Sequence, residues 1–363
     1  MHPLQLVTDC EGPLALNDNA FEMCRDFIQP DGARFFQQIC RYNDYLVEVL
    51  KKPGHKAGDT LKLILPFLKA QGLTNQQIRE YAPKSMKLVP GVEGAYKFLH
   101  AQDFPIFEIS AGGRQFAEAV GGRLGFDAGH IFATELDLDR YALAPAEQEE
   151  LLRLQQEVVA AAELPLPQEI ASPEAVSPAV QDALKLCDRI FVERIPEMDI
   201  GAIYREFNPV GGPDKARVLE ESLQTTGLKM TDVIYVGDSI TDVQALAAVR
   251  TGGGLGISFN GNGYAVKAAE VSVIADNAWP VALLAAVFVL WGKEGVMELA
   301  TKGSAGASRY LVLPEAVIDH LMRGLNGRNF NLYSAATKDP EAIAEESLTM
   351  RTRLRGAAVA ALG

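Results

Sequence analysis

Three short apolar runs in this chain each break off at a polar residue, and a stretch of helical periodicity follows each one. Residues 4–8 (Leu-Gln-Leu-Val-Thr) run into Asp9, Pro105-Ile106-Phe107-Glu108-Ile109 ends at Ser110, and Val233-Ile234-Tyr235-Val236 ends at Gly237-Asp238. Further strands are predicted at 254–259 and near 271–274. Apolar strands alternating with helices are the pattern of a doubly wound α/β fold, whose parallel strands are buried on both faces. Such sheets bind ligands at the carboxyl ends of their strands. Asp9, Ser110 and Asp238 all fall there.

Long segments separate these strands. Residues 18–87 are rich in helical periodicity, with Phe35, Phe36, Ile39, Tyr42, Tyr45, Leu46, Val49 and Leu50 on one pattern. Thr74 followed by Gln77 predicts a capping box. Residues 137–208 read as a second insertion: a polar helix over Glu147–Ala162, a loop with Pro165, Pro167, Pro173 and Pro178, and a helix near 179–187. A Pro-Val-Gly-Gly-Pro loop at 209–213 leads into a helix carrying Lys215. The expected division is a core of 1–17, 88–136 and 209–276, a helical cap at 18–87, the insertion at 137–208, and a helical extension at 277–363.

Composition narrows the partners. The 34 basic and 47 acidic residues give a formal charge of −13, which repels nucleic-acid backbones. The four cysteines (Cys10, Cys24, Cys40, Cys187) show no C-x-x-C spacing and read as reduced thiols. The first residues lack the basic and apolar regions of a secretion signal. The most apolar run, Trp279 to Trp291, is shorter than the ~20 residues that span a bilayer; it reads as a buried helix or a subunit contact. A cytoplasmic protein with no membrane or nucleic-acid partner is expected.

The segments Asp9-Cys10-Glu11-Gly12, Ser110, Lys215 and Gly237-Asp238-Ser239-Ile240-Thr241-Asp242 occur in an order and at strand ends that resemble the four motifs of the haloacid dehalogenase (HAD) superfamily. The first of those motifs is D-x-D-G, the second a Ser or Thr ending a strand, the third a Lys or Arg, and the fourth a pair of acids. The resemblance implies a HAD-like core and a Mg²⁺-dependent phosphohydrolase acting on a small phosphorylated metabolite. Asp9 would attack phosphorus to form an aspartyl-phosphate, and Glu11 would serve as acid and base. Ser110 with Ala111 and Gly112 would bind phosphoryl oxygens, Lys215 would balance the carboxylates and grip the phosphate, and Asp9, Glu11, Asp238 and Asp242 would hold the metal. A phosphotransferase or mutase shares the aspartyl-phosphate step, so the motifs do not separate it from a hydrolase. The position of the cap is most similar to that in the phosphoserine-phosphatase branch.

Two departures stand out. Glu11 replaces the usual Asp and lengthens its reach by one methylene, and Pro13 replaces the usual Thr. The stretch around Asp9, through Leu16-Asn17-Asp18-Asn19-Ala20-Phe21-Glu22, also resembles an archaeal group described as energy-converting hydrogenase A, subunit R. These features motivate the alternative: a HAD-like subunit of little or no turnover that docks a partner complex. The C-terminal region would then contact that complex or a second copy of the chain.

Other signals have ordinary readings. Gly252-Gly253-Gly254 lacks a following Gly-Lys-Ser/Thr and precedes a strand, so it reads as a turn. His2, His55, His100, His130 and His320 form no ligand spacing, and Arg114 reads as an exposed helix residue.

Overall fold

The computed structural model describes residues 1–170, 172, 175–302, 314–328 and 330–362; Pro173 of the expected proline loop lies outside them. Among the described residues, seven strands form one sheet. They are β1 (Gln5–Thr8), β2 (Ile106–Gly113), β3 (Ile131–Thr134), β4 (Val233–Gly237), β5 (Leu255–Phe259), β6 (Val271–Ala275) and β7 (Phe330–Ser334), in the order β3-β2-β1-β4-β5-β6-β7. All neighbours run parallel except β6 and β7. β1, β4, β5 and β6 are buried along their whole length, which is why they read as mostly apolar, with Gln5, Thr8, Ser258 and Ser272 as buried polar exceptions.

Helices cover both faces. Val92–His100, Arg114–Leu124 and Trp279–Lys302 pack on one face, and Pro213–Thr226 and Val243–Thr251 on the other. The chain builds β2 and β3 on one side of β1, then crosses to β4, β5 and β6 on the other. The order reverses between β1 and β4, and a crevice opens there at the carboxyl ends. This is the doubly wound parallel sheet expected from the alternation of strands and helices.

Two strands were not anticipated. β3 is a four-residue run, and β7 is a half-exposed antiparallel edge inside the segment expected to be helical. Trp279–Lys302 is two helical stretches broken at Gly292 (φ 65°, ψ −168°), the first of them the expected apolar run from Trp279 to Trp291. By length and composition it could cross a membrane, but 56% of its apolar window is buried. Val281, Leu284, Ala285, Val287 and Phe288 belong to the core.

The two insertions form one helical body rather than two. Helices Asn19–Phe27, Gly32–Asp44, Thr60–Ala70 and Asn75–Ser85 share an apolar core with Pro145–Ala160 and Pro178–Asp188. Phe67 meets Phe35 at 4.8 Å and Phe191 at 6.0 Å between ring centroids, joining first insertion to second. The Thr74–Gln77 capping box is present and opens Asn75–Ser85. This body stands over the carboxyl ends of the strands, where Phe36, Asp44, Thr60 and Leu61 face Asp9 across a cavity of about 120 Å³.

Candidate active site

Asp9 is the first residue past β1. Its amide donates to the Val236 carbonyl at 2.8 Å, which fixes it beside β4. Its Oδ1 accepts from the Cys10 amide at 2.7 Å, and its Oδ2 lies 2.7 Å from the Lys215 ammonium. Lys215, fully buried in the first turn of Pro213–Thr226, makes a second ion pair at 2.7 Å with Asp242 Oδ1. A buried ammonium is tolerated only when paired in this way. Burial pulls the Lys215 pKa down, and Asp242 and Asp9 together raise it above its ordinary value.

Asp242 is saturated with hydrogen bonds. Its Oδ1 also accepts the Tyr235 hydroxyl at 2.7 Å, and its Oδ2 accepts the amides of Asp238 and Ser239, both at 3.0 Å. The four-residue spacing thus folds the Gly237–Asp242 loop around its own second acid. Gly237 is required there, since a Cβ would come within 2.5 Å of the Asp242 carboxyl carbon. Gly12 plays the same part for Asp238: its φ is +107°, and a Cβ would lie 2.3 Å from the Asp238 carboxyl carbon.

Asp9, Asp238 and Asp242 each offer one carboxylate oxygen, and the three lie within 4.8 Å of one another. Burial raises the Asp9 carboxyl well above the usual carboxylate range; Lys215 opposes the rise, and Asp242 and Asp238 add to it. Hard oxygen donors gathered this tightly, with one lysine between them, suit a divalent cation such as Mg²⁺.

Glu11 is placed differently from the other predicted ligands. Its Oε1 accepts from the Asn19 amide at 2.6 Å, at the start of the first cap helix, and its carboxyl packs near Gly112. Its side chain therefore lies outside the three-acid cluster. Burial, with the Asp18 charge next, raises its pKa well above the usual range. β2 continues past Ser110 to Gly113, and its register against β3 shifts between these two residues. In that irregular stretch Ser110 Oγ accepts the Gly112 amide at 3.1 Å, so its own proton is free to be donated elsewhere. Ala111 and Gly112 line the same cavity as Asp9, and Ser110 is buried next to them in the chain. Arg114 turns away to pair with Glu118 and Glu135.

Two side chains at this site were not expected from sequence. Arg351 and Arg355, on the C-terminal helix Pro340–Arg355, bond Asp238 Oδ2 at 2.6 and 2.9 Å. Oδ1 of Asp238 keeps no protein partner among the described residues. An Arg pair spaced i, i+4 is too common on helices to have marked the site. With Lys215, three cations face the three clustered acids, Lys215 and Arg351 buried and Arg355 half-buried.

A scan against protein-family models gives no match, and neither does a search of curated proteins. Among solved structures the chain is similar to the gene product AF1437 from Archaeoglobus fulgidus, at 29% identity and a TM-score of 0.79, over 99% of each chain. It also aligns with a substrate-bound phosphoserine phosphatase complex (14% identity, 75% of this chain and 93% of that one, TM-score 0.44). A phosphoserine phosphatase in apo form aligns at 15% identity, over 74% of this chain and 92% of that one, with a TM-score of 0.38. These two likenesses are slight, whereas the likeness to the archaeal protein runs the whole length of the chain, C-terminal helices included.

Proposed function

We propose that this chain is a Mg²⁺-dependent phosphohydrolase that releases phosphate from a small phosphorylated metabolite through an aspartyl-phosphate on Asp9. The observation that carries this reading is the buried Asp9–Lys215–Asp242 chain of ion pairs with Asp238 alongside, at the switch point of the sheet. Mg²⁺ held by Asp9 and Asp238, with Asp242 close behind, would offset the charge that makes a phosphate ester resist attack.

The protein's own residues do the rest. A carboxylate oxygen of Asp9 attacks phosphorus, and the bond to the leaving oxygen breaks. Glu11, its raised pKa keeping it protonated, gives its proton to that oxygen. It then takes a proton from the water that attacks the aspartyl-phosphate, and the Asp9–phosphorus bond breaks to free orthophosphate. Ser110 and the backbone at Ala111 and Gly112 hold the phosphoryl oxygens, while Lys215 keeps Asp9 in place. The leaving group faces Phe36, Asp44, Thr60 and Leu61, so the helical cap selects the substrate and excludes water.

The test is phosphate release from a panel of phosphomonoesters with and without Mg²⁺, with Asp9→Asn beside the wild type. Release that needs Mg²⁺ and is lost in the variant supports the reading. More than a tenth of wild-type activity in Asp9→Asn removes the nucleophile.

One observation favours a second reading, a HAD-like subunit of low turnover serving a partner complex such as the archaeal hydrogenase group. Lys215, Arg351 and Arg355 already pair all three clustered acids. That reading predicts Mg²⁺ binding with no turnover on the panel and co-purification with a partner. The cytoplasmic location belongs with either reading.

A further inference from the structure

We propose that Arg355 is a positioning residue that fastens the Asp238 carboxylate and both chain crossings into the cap as one unit. The proposal rests on the phosphohydrolase reading only for what the site does; the tie itself rests on contacts.

The chain passes between the core and the first insertion at residues 16–19 and 85–88, and these two passages are cross-tied. The Leu16 amide donates to the Lys87 carbonyl at 2.7 Å. The Asn17 side chain accepts the Lys87 amide at 2.6 Å and donates to the Ser85 carbonyl at 2.9 Å. All three nitrogens of the Arg355 guanidinium are engaged at this junction. Nε donates to the Leu16 carbonyl at 3.0 Å, Nη2 to the Asn17 carbonyl at 2.7 Å, and Nη1 to Asp238 Oδ2 at 2.9 Å. A planar fork can bind a carboxylate and two carbonyls together; a lysine ammonium cannot reproduce that geometry.

The rest of the helix anchors this contact. Ser347, Arg351 and Arg355 lie at i, i+4 and i+8 on one face. Ser347 donates to the Gly261 carbonyl at 2.6 Å, and Arg351 Nη1 reaches the carbonyls of Asn260 at 2.9 Å and Asp238 at 3.2 Å. The C-terminal segment is thereby part of the active-site wall. Moving the cap by its two passages would break the Arg355 bonds to Leu16 and Asn17 and free Asp238 on that side. Glu11, bonded to the Asn19 amide, lies on the same passage and would move with it.

Hydrogen exchange on the full chain without substrate tests this apart from turnover. The amides of Leu16, Lys87 and Val89 are hydrogen-bonded and report on the passages. Arg355→Ala is expected to speed exchange in peptides covering 14–19 and 84–90 by at least about tenfold, leaving distant sheet peptides unchanged. Arg355→Lys should fall between. Arg353→Ala is the control, since Arg353 sits on the same helix and pairs with Asp276 at the surface; it should exchange like wild type. If Arg355→Ala does not fold, Arg355→Lys keeps the charge on Asp238, loses the carbonyl bonds, and should still show an acceleration, smaller and confined to the same peptides. Wild-type exchange at both passages in a folded Arg355 variant overturns the proposal. So does an even rise over the whole chain, the mark of plain destabilisation. Because no substrate is present, a silent phosphate panel leaves this result standing.

Discussion

Replacing Lys215 with Met keeps most of the buried aliphatic volume and removes the cation that pairs both Asp9 and Asp242. The wild-type ammonium holds each carboxylate at 2.7 Å with no exposure to solvent. Breaking a buried ion pair by removing one partner costs about 3–5 kcal/mol, because a charge is left uncompensated. Burial holds the wild-type Asp9 carboxyl up at about 8 against the lowering effect of Lys215. Without the ammonium Asp9 takes up its proton more tightly still and escapes part of that cost, so the loss relative to wild type grows as pH rises through about 8. Asp242 keeps Tyr235 and two amides, which places most of the effect on Asp9. Urea unfolding of Lys215→Met against wild type should give a loss of about 3 kcal/mol or more at pH 9 and a clearly smaller one at pH 6. Adding Mg²⁺ should recover part of the loss at pH 9. A loss below about 1 kcal/mol that does not change with pH or Mg²⁺ would refute the coupling.

Gly12→Ala places a Cβ on the Asp238 carboxyl at a φ of +107°; it should cost about 1–3 kcal/mol in urea unfolding and weaken Mg²⁺ binding measured by calorimetry. Asp44 faces the cavity from the cap, where burial, with the Glu48 charge second, pushes its carboxyl up to about 7. The folded state therefore binds this proton more tightly than the unfolded chain, and the wild type loses stability as pH rises from about 4 to 7. Asp44→Asn should match wild type near pH 4 and exceed it by about 2–4 kcal/mol at pH 8 in the same assay, whereas parallel stability curves would contradict the shift.

Much of the core was legible because its signals are local. β1 and β4 are short, largely apolar strands that run into Asp9 and Asp238, so the residues at the switch point could be read directly. The Thr74 cap depends on a neighbour three residues away, again within reach of sequence. What escaped depends on distant partners. The two insertions looked separate because their shared core joins Phe35 and Phe67 to Phe191 across the whole of β2 and β3. β7 pairs with the core by one edge only and carries no apolar run. Glu11 shows the limit of motif spacing: its position two residues after Asp9 was plain, but its bond to Asn19 depends on how the cap enters. Arg351 and Arg355 reach Asp238 from more than a hundred residues away, and no spacing within the chain announces that contact.

The central claim is that Asp9 becomes phosphorylated during turnover. Acid-quenching the protein with Mg²⁺ and the best substrate from the phosphomonoester panel, then mapping its peptides by mass, tests this most directly. A gain of one phosphoryl group on the peptide holding Asp9, present in wild type and absent in Asp9→Asn, is the predicted result. Steady phosphate release with no such adduct, or an adduct on another residue, would contradict it.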